Sequence, residues 1–194
     1  MSDKPLVLIG GLARDQRDRV REFALRLNAP AYAEPLSGLR EDSELEPLLL
    51  RNERLLAGAG FTRVIRIGNI PTLRFWRDLD EKLRDVPLVN YSALPFRGLS
   101  RGEVQSLDEL PRDVKRYERD DELFARDREF SERLDRILEV EPESELALLR
   151  GLSHDLPEHA RIYLGNSLPI REWDLVATRE QRAPQAREEE RRPP

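Results

Sequence analysis

The sequence predicts an α/β fold in which residues 5–106 form a three-layer, doubly wound and mainly parallel sheet. Residues 6–9 (LVLI) form an uninterrupted apolar run that ends in a glycine pair, which is typical of a strand buried on both faces. Residues 62–67 (TRVIRI) form a second run that is rich in β-branched residues. Helical patterns alternate with these and other short runs, and such alternation produces parallel strands joined by crossover helices.

Three helical patterns separate the predicted strands. The first stops before the sequence Asn-Ala-Pro at 28–30, because the residue before a proline disfavours the helical conformation. The second spans residues 45–59 and is expected in two pieces, since Pro47 lies inside it. The third begins at Pro71 and directs an apolar face inward: Phe75, Trp76, Leu79 and Leu83.

Three further strands complete the predicted sheet: residues 31–33, 86–91 and 103–105. In doubly wound folds, ligands bind beyond the carboxyl ends of the strands. The loop after the fourth strand carries Arg97 and Arg101, and Arg97 is a candidate member of such a site. The glycine pair after the first strand lacks the G-x-G-x-x-G pattern of dinucleotide-binding proteins, so bound NAD or FAD is unsupported.

The composition limits the functional classes. The chain has 194 residues, a net charge of −5 and an isoelectric point near 5.3, which argues against a general nucleic-acid binder. It contains no cysteine, so disulfides, thiolate metal sites and cysteine nucleophiles are excluded. No apolar run approaches the roughly 18 residues of a membrane span, and we expect a soluble, cytoplasmic protein. Three of the 33 basic residues are lysine and the other thirty are arginine, a residue suited to carboxylates.

The composition changes after residue 110. Of the 28 residues from 112 to 139, 18 are charged. Apolar residues nevertheless keep a helical stripe through this segment: Leu123, Phe130, Leu134, Ile137 and Leu138. We therefore predict that residues 111–140 form a charged bridging helix whose outer face is solvated.

The remaining residues are expected to form the start of a second domain and a tail. In residues 141–177 we predict a helix opened by Pro142 and Ser144, and a buried strand at 162–164. His154 and His159 are five residues apart, which does not place them on one helix face, and a metal site is not expected. Residues 178–194 lack apolar periodicity and are expected to be disordered.

The strongest candidate site lies in residues 161–174 (RIYLGNSLPIREWD). The predicted strand ends in small polar residues, and the helix that follows has Pro169 in its first turn and offers free backbone N–H groups. Ser167 and Arg171 add a hydroxyl and a guanidinium, and with Arg97 they form a candidate anion site for a carboxylate or phosphate. The alternative is a strand–turn–helix joint with a surface arginine. No catalytic acid, base or nucleophile is evident, which favours a substrate-binding role.

Four stretches of the chain carry motifs that identify a family: residues 34–40 (EPLSGLR), 48–55 (LLLRNERL), 64–71 (VIRIGNIP) and 165–174 (GNSLPIREWD). Together and in this order they resemble the 2-succinyl-5-enolpyruvyl-6-hydroxy-3-cyclohexene-1-carboxylate synthases of menaquinone biosynthesis, which are thiamine-diphosphate enzymes. The resemblance covers nearly everything from residue 5 to about residue 177. It implies that residues 1–110 form the family's Rossmann-like central domain, and that residues 141–177 begin its diphosphate-binding domain.

The resemblance also implies substrates, cofactors and site residues. The family joins decarboxylated 2-oxoglutarate to isochorismate with thiamine diphosphate and Mg²⁺, and it is homo-oligomeric. Its motif GNS-x-x-x-R binds polar and carboxylate groups of the substrate, and the matching residues are Ser167 and Arg171. Both family substrates carry carboxylates, which fits the need for arginine.

The chain departs from the family pattern in two places. It lacks the N-terminal domain whose glutamate activates the thiamine ring, and after residue 174 it lacks the GIDG segment that precedes the magnesium and diphosphate motif. We therefore expect the chain alone to bind no cofactor and to be inactive. It would be a fragment, a truncated homologue or one piece of a split enzyme with complementary domains. Two other hypotheses remain: a stand-alone, non-catalytic binding module, and a nucleotide-binding protein.

Overall fold

The computed structural model describes residues 3–157, 160, 162–165 and 167–177. Within these residues the chain forms a five-stranded, entirely parallel sheet with the order β2-β1-β3-β4-β5. The strands are β1 (Pro5–Ile9), β2 (Ala31–Ala33), β3 (Arg63–Ile67), β4 (Leu88–Ser92) and β5 (Val104–Ser106). The predicted doubly wound α/β fold is thereby confirmed.

The helices lie between and after the strands. They are α1 (Arg17–Leu27), α2 (Glu53–Leu56), α3 (Arg74–Glu81), α4 (Asp121–Val140), α5 (Glu145–Asp155) and α6 (Leu168–Val176). The helix α1 ends where Asn28 adopts a left-handed conformation with φ of 57°, which asparagine tolerates better than most residues. The predicted division of residues 45–59 is seen as a single 3-10 turn at Glu46–Leu48 followed by the short α2.

Two apolar layers pack on opposite faces of the sheet, because side chains alternate along each strand. Val7 and Ile9 of β1 belong to one layer, with the inward residues of α1. Leu6 and Leu8 belong to the other, with Phe75 and the neighbouring apolar residues of α3. The five side chains of β1 are all buried, as its uninterrupted apolar run predicts. Burial of each aliphatic side chain contributes about 1.5–3 kcal/mol.

The order of the strands determines where ligands reach the sheet. From β1 the chain passes to β2 on one side, and β3, β4 and β5 then extend the sheet on the other side. The loops at the carboxyl ends of β1 and β3 therefore diverge, and a crevice between such loops is the usual ligand position in this fold class. The loops after β2 and β3 also lie at this edge of the sheet.

The predicted helix over residues 111–140 is wrong in its first third, since α4 begins at Asp121. The preceding residues instead contact the amino-terminal edge of the sheet. The Tyr117 backbone N–H donates to the Leu27 carbonyl at 2.9 Å, and the Tyr117 hydroxyl donates to Asp3 at 2.8 Å. The Asp120 carboxylate accepts from the Leu123 backbone N–H at 3.1 Å and so caps the start of α4.

The predicted buried strand at 162–164 is also wrong. Ile162 is 45% exposed and Tyr163 is 96% exposed, and neither lies in a strand. A strand needs a neighbour for its backbone N–H and C=O groups, and within the described residues this segment pairs with neither edge of the sheet. The apolar character of these residues therefore does not produce a strand in this chain.

The other C-terminal predictions have mixed outcomes. The helix α5 begins after Ser144, whose side chain accepts from the Ala147 backbone N–H at 3.2 Å. Several of its apolar side chains stay partly exposed, and Leu152 is 51% exposed. The predictions for His159 and for residues 178–194 lie outside the described residues. Within the described part of the chain, no helix combines the length and apolar character needed to cross a bilayer.

Replacement of Gly10 by alanine should strongly destabilise the sheet edge. A Cβ at Gly10 would lie 2.2 Å from the Asn69 backbone oxygen, and the two loops hold each other through the bond from the Asn69 N–H to the Gly11 carbonyl at 2.9 Å. We expect Gly10→Ala to lower the free energy of unfolding by at least about 2 kcal/mol, measured by urea denaturation. The control is Gly58→Ala, whose Cβ would meet nothing within 4 Å. Equal stability of both variants would contradict this close approach.

Candidate functional site

A cleft of about 460 Å³ lies at the carboxyl edge of the sheet, between α6 and the loops that follow β2 and β3. Its lining contains five arginines: Arg51, Arg54, Arg74, Arg77 and Arg171. Its lining also contains three carboxylates: Glu34, Glu53 and Asp174. The arginines outnumber the carboxylates, so the lining carries an excess of positive charge and favours an anionic ligand.

Residues from distant parts of the sequence meet at this cleft through hydrogen bonds to buried or half-buried acidic groups. The Glu34 carboxylate, which is 6% exposed, accepts from the backbone N–H and the hydroxyl of Thr72 at 2.6 and 2.7 Å. The Glu53 carboxylate accepts from the Phe75 backbone N–H at 2.9 Å. The loop after β2 and the helix α2 are thereby both attached to the segment that begins α3.

A third acidic group connects α4 to the same region. The buried Asp127 carboxylate accepts from the backbone N–H groups of Arg51 and Asn52, each at 2.9 Å. The Asn52 side chain in turn accepts from the Arg54 backbone N–H at 3.0 Å and caps α2. The backbone that carries Arg51 and Arg54 is therefore fixed from two directions.

The helix α6 is held on the sheet by a buried ion pair. The Asp174 carboxylate lies 2.8 Å from Nε of Arg40, and it also accepts from the Tyr32 hydroxyl. Arg40 and Tyr32 are each 1% exposed. Arg40 ends the stretch EPLSGLR and Asp174 ends the stretch GNSLPIREWD, so two of the predicted motifs meet in this contact, here called the Arg40–Asp174 latch.

The electrostatics of the cleft follow from burial. Burial raises the pKa of Glu34, and the nearby charges of Asp174 and Glu53 raise it further against the lowering effect of the Thr72 hydrogen bonds. Burial likewise raises the pKa of Tyr32 well above its ordinary value, and the adjacent Asp174 charge adds to the effect. Tyr32 therefore remains a neutral donor to Asp174 at ordinary pH.

Three arginines of the cleft remain available to a ligand. Among the described residues, no carboxylate forms an ion pair with Arg54, Arg77 or Arg171, whereas Arg51 and Arg74 pair with acidic side chains. All three are exposed. A guanidinium can donate two parallel hydrogen bonds to a carboxylate, so the free arginines suit a ligand with one or two carboxylates.

Of the three predicted site residues, one lies in the cleft and two lie outside its lining. Arg171 lines the cleft, one turn of α6 before Asp174. Ser167 precedes α6 as an exposed residue with φ of 74°, a backbone conformation that is uncommon outside glycine. Arg97 lies in the exposed loop after β4. Neither Ser167 nor Arg97 is among the described residues that line this cleft.

The cleft does not suit a divalent cation. Among the described residues, no group of three or more histidine or acidic side chains could hold a metal ion. The excess of arginine repels Mg²⁺ and the cationic thiazolium ring of thiamine diphosphate. The donor set therefore fits a carboxylate, and it does not fit the metal or the thiazolium ring.

Comparison with known proteins identifies relatives. The chain is 34% identical over 180 residues to 2-succinyl-5-enolpyruvyl-6-hydroxy-3-cyclohexene-1-carboxylate synthase of Bdellovibrio bacteriovorus, a match that covers 88% of this chain. It is 32% identical over 182 residues to the synthase of Akkermansia muciniphila. The chain is a relative of these synthases. The resemblance predicted from the four motifs is thereby confirmed.

The match covers only part of the relatives. The chain spans 34% of the Bdellovibrio synthase and 33% of the Akkermansia synthase, about one third of each. A third synthase, from Desulfitobacterium hafniense, is 28% identical and is matched over 36% of its length. No family model matches the chain. The similarity therefore concerns one portion of the synthases.

Sequence reasoning assigned no role to three residues that organise the cleft: Glu34, Arg40 and Asp174. Each lies inside a predicted motif, and that position is the available signal. Arg40 is one of thirty arginines, and the sequence does not show which of them is buried. Its partner is 134 positions away (174 minus 40) and comes close only through the fold.

Loss of the Arg40–Asp174 latch should release α6. Removal of one partner of a buried ion pair typically costs about 3–5 kcal/mol. We expect Asp174→Asn to accelerate amide hydrogen exchange of α6 by at least about a hundredfold, measured by mass spectrometry of its peptides. The matched control is Asp155→Asn at the exposed end of α5. Unchanged exchange of α6 in Asp174→Asn would show that other contacts hold the helix.

The raised pKa of Glu34 predicts a particular pH dependence of stability. Because its folded pKa lies above the reference value of 4.5, the folded state holds the proton more tightly than the unfolded state. The resulting stabilisation is complete below 4.5 and is lost as the pH rises through the folded pKa. The free energy of unfolding of the wild type relative to Glu34→Gln should therefore decline above about pH 4.5.

This comparison is measured by urea denaturation at several pH values. The control is Glu44→Gln, which removes an exposed carboxylate from the segment that follows the same loop. A difference between wild type and Glu34→Gln that stays constant from pH 4 to 7, or increases, would contradict the assigned burial effect.

Proposed function

We propose that this chain supplies the carboxylate-binding part of a thiamine-diphosphate-dependent carboligase, which joins decarboxylated 2-oxoglutarate to isochorismate in menaquinone biosynthesis. One observation carries the proposal: the Arg40–Asp174 latch holds Arg171 in a cleft with two further unpaired arginines, Arg54 and Arg77. Both proposed substrates carry carboxylates. The similarity to the synthases, whose name describes a product with a succinyl group and a ring carboxylate, supports this choice of anion.

In this proposal, the described residues bind and orient the substrates. Arg171 donates to one substrate carboxylate, and the exposed Arg54 and Arg77 provide a second binding position in the same cleft. The exposed Ser167 lies one helical turn before Arg171, and its unusual backbone conformation is consistent with a functional position. Such positioning lowers the entropic cost of bringing two substrates together.

Decarboxylation and carbon–carbon bond formation are proposed to require thiamine diphosphate and Mg²⁺ held by complementary domains. The arginine-rich lining of the cleft does not fit the metal. In this proposal, residues 1–110 act as the central domain, residues 141–177 begin the next domain, and the 194-residue chain alone is inactive. The complete assembly would be homo-oligomeric, as in the family.

The first test compares the activity of the chain alone with its activity in the presence of complementary domains. The purified chain, with thiamine diphosphate and Mg²⁺, is incubated with isochorismate and 2-oxoglutarate, and product is measured with and without complementary domains from a relative. We expect product only when those domains are present. Product from the chain alone would overturn the proposed division of labour. Stoichiometric nucleotide in the purified chain would instead favour a nucleotide-binding module.

Arg171→Ala should weaken 2-oxoglutarate binding by the chain far more than it lowers thermal stability. A hydrogen bond to a charged group contributes about 1.5–3 kcal/mol, so we expect the dissociation constant from calorimetry to rise at least about tenfold. The melting temperature should change little, because Arg171 is exposed. The control is Arg136→Ala on the exposed face of α4. Equal affinities of both variants would place Arg171 outside the site.

A further inference from the structure

A buried arginine, Arg66, lies in the centre of the sheet and away from the cleft. Arg66 on β3 is 0% exposed, which is rare for a charged side chain. Its Nη1 group donates to the Phe96 carbonyl at 3.0 Å, and its guanidinium lies 5.7 Å from the centre of the Trp76 ring. The side chain is therefore held between the loop after β4 and the helix α3.

One edge of this guanidinium has no partner. Within the part of the chain that the structure describes, neither Nε nor Nη2 of Arg66 donates a hydrogen bond, and no carboxylate pairs with it. Arginine does not lose its proton in proteins, so the buried group stays charged. An unpaired buried charge is strongly destabilising, and each such group in a folded protein requires an explanation. Burial lowers the pKa of Arg66, in agreement with an uncompensated charge.

The free edge has the geometry of a carboxylate-binding site. Nε and Nη2 lie on the same side of the planar guanidinium, where two parallel N–H groups can engage two carboxylate oxygens. One neighbouring buried donor also lacks a partner among the described residues, the indole N–H of Trp76. Asn90 is the β4 residue in register with Arg66, so their side chains share one face of the sheet.

The loop of residues 93–103 covers this group of polar atoms. The Phe96 carbonyl accepts from Arg66, and the Gly102 carbonyl accepts from the Asn90 amide at 3.0 Å. The loop is also fixed to α3, because the Asp80 carboxylate accepts from the Ser100 backbone N–H at 2.8 Å. Phe96 itself is 61% exposed at the outer surface of the loop. The unpartnered atoms therefore lie beneath an ordered cover, and a ligand there must be small.

We propose that the Nε–Nη2 edge of Arg66 binds a small carboxylate ligand beneath the loop of residues 93–103. The Trp76 ring flanks the guanidinium, and its indole N–H is a further unpartnered donor beside it. This site is distinct from the cleft of Arg171, because none of its residues lines that cleft. It does not depend on the carboligase proposal.

The test uses sodium acetate as the probe on the full chain, at constant ionic strength set with sodium chloride. We expect a saturable rise of the melting temperature of the wild type with acetate concentration. In Arg66→Met the apparent dissociation constant should be at least about tenfold weaker. The same weakening by Arg66→Met in an Arg171→Ala background would separate this site from the cleft, and Arg136→Ala on the exposed face of α4 should respond as the wild type does.

A second measurement does not depend on the stability of a variant. The arginine Nε–H signals of the wild type are followed by nuclear magnetic resonance during the acetate titration. We expect one signal to shift saturably, and that signal should be absent from Arg66→Lys. A wild type without any acetate response, or an equal response of wild type and Arg66→Met, would overturn the proposal and leave the edge of Arg66 to water.

Discussion

The candidate site depends on the Arg40–Asp174 latch. Without this contact, Arg171 belongs to a short helix that packs mainly on α5, and the arginines after β2 and β3 form only an open charged surface. Arg40 is buried in the loop after β2, and Tyr32 of β2 donates to the same carboxylate. The ion pair therefore fixes the helix that carries Arg171 relative to the sheet. Because a buried charge requires its partner, neither residue can change alone.

The same principle explains why charged residues occur in the interior at the carboxyl edge. Glu34 and Asp127 are buried acceptors for backbone N–H groups, and each joins segments that are distant in sequence. Arg66 differs, since one edge of its guanidinium has no partner among the described residues. The charges of Glu34 and Asp127 are thus structural and satisfied by hydrogen bonds, whereas the free edge of Arg66 is the basis of the proposed second anion site.

The parallel sheet could be predicted because its strands are buried on both faces and appear as apolar runs. The end of α1 could also be predicted, since Asn28 and Pro30 interrupt the helix locally. The predictions of a strand at 162–164 and of a helix over 111–120 failed, because the structure of both segments depends on distant partners. Tyr117 contacts the amino-terminal edge of the sheet, and residues 162–164 have no neighbouring strand in the described chain. Arg171 was found through its motif, whereas the residues that hold it became visible only in the fold.

The central claim is that α6 and the loops after β2 and β3 form one carboxylate-binding cleft. The most direct measurement is a crystal structure of the chain with succinate, a dicarboxylate that reproduces the charged ends of 2-oxoglutarate. The account predicts α6 seated on Arg40, with a succinate carboxylate within hydrogen-bond distance of the Arg171 guanidinium. Density for succinate elsewhere, or α6 separated from Arg40 with the cleft absent, would contradict it.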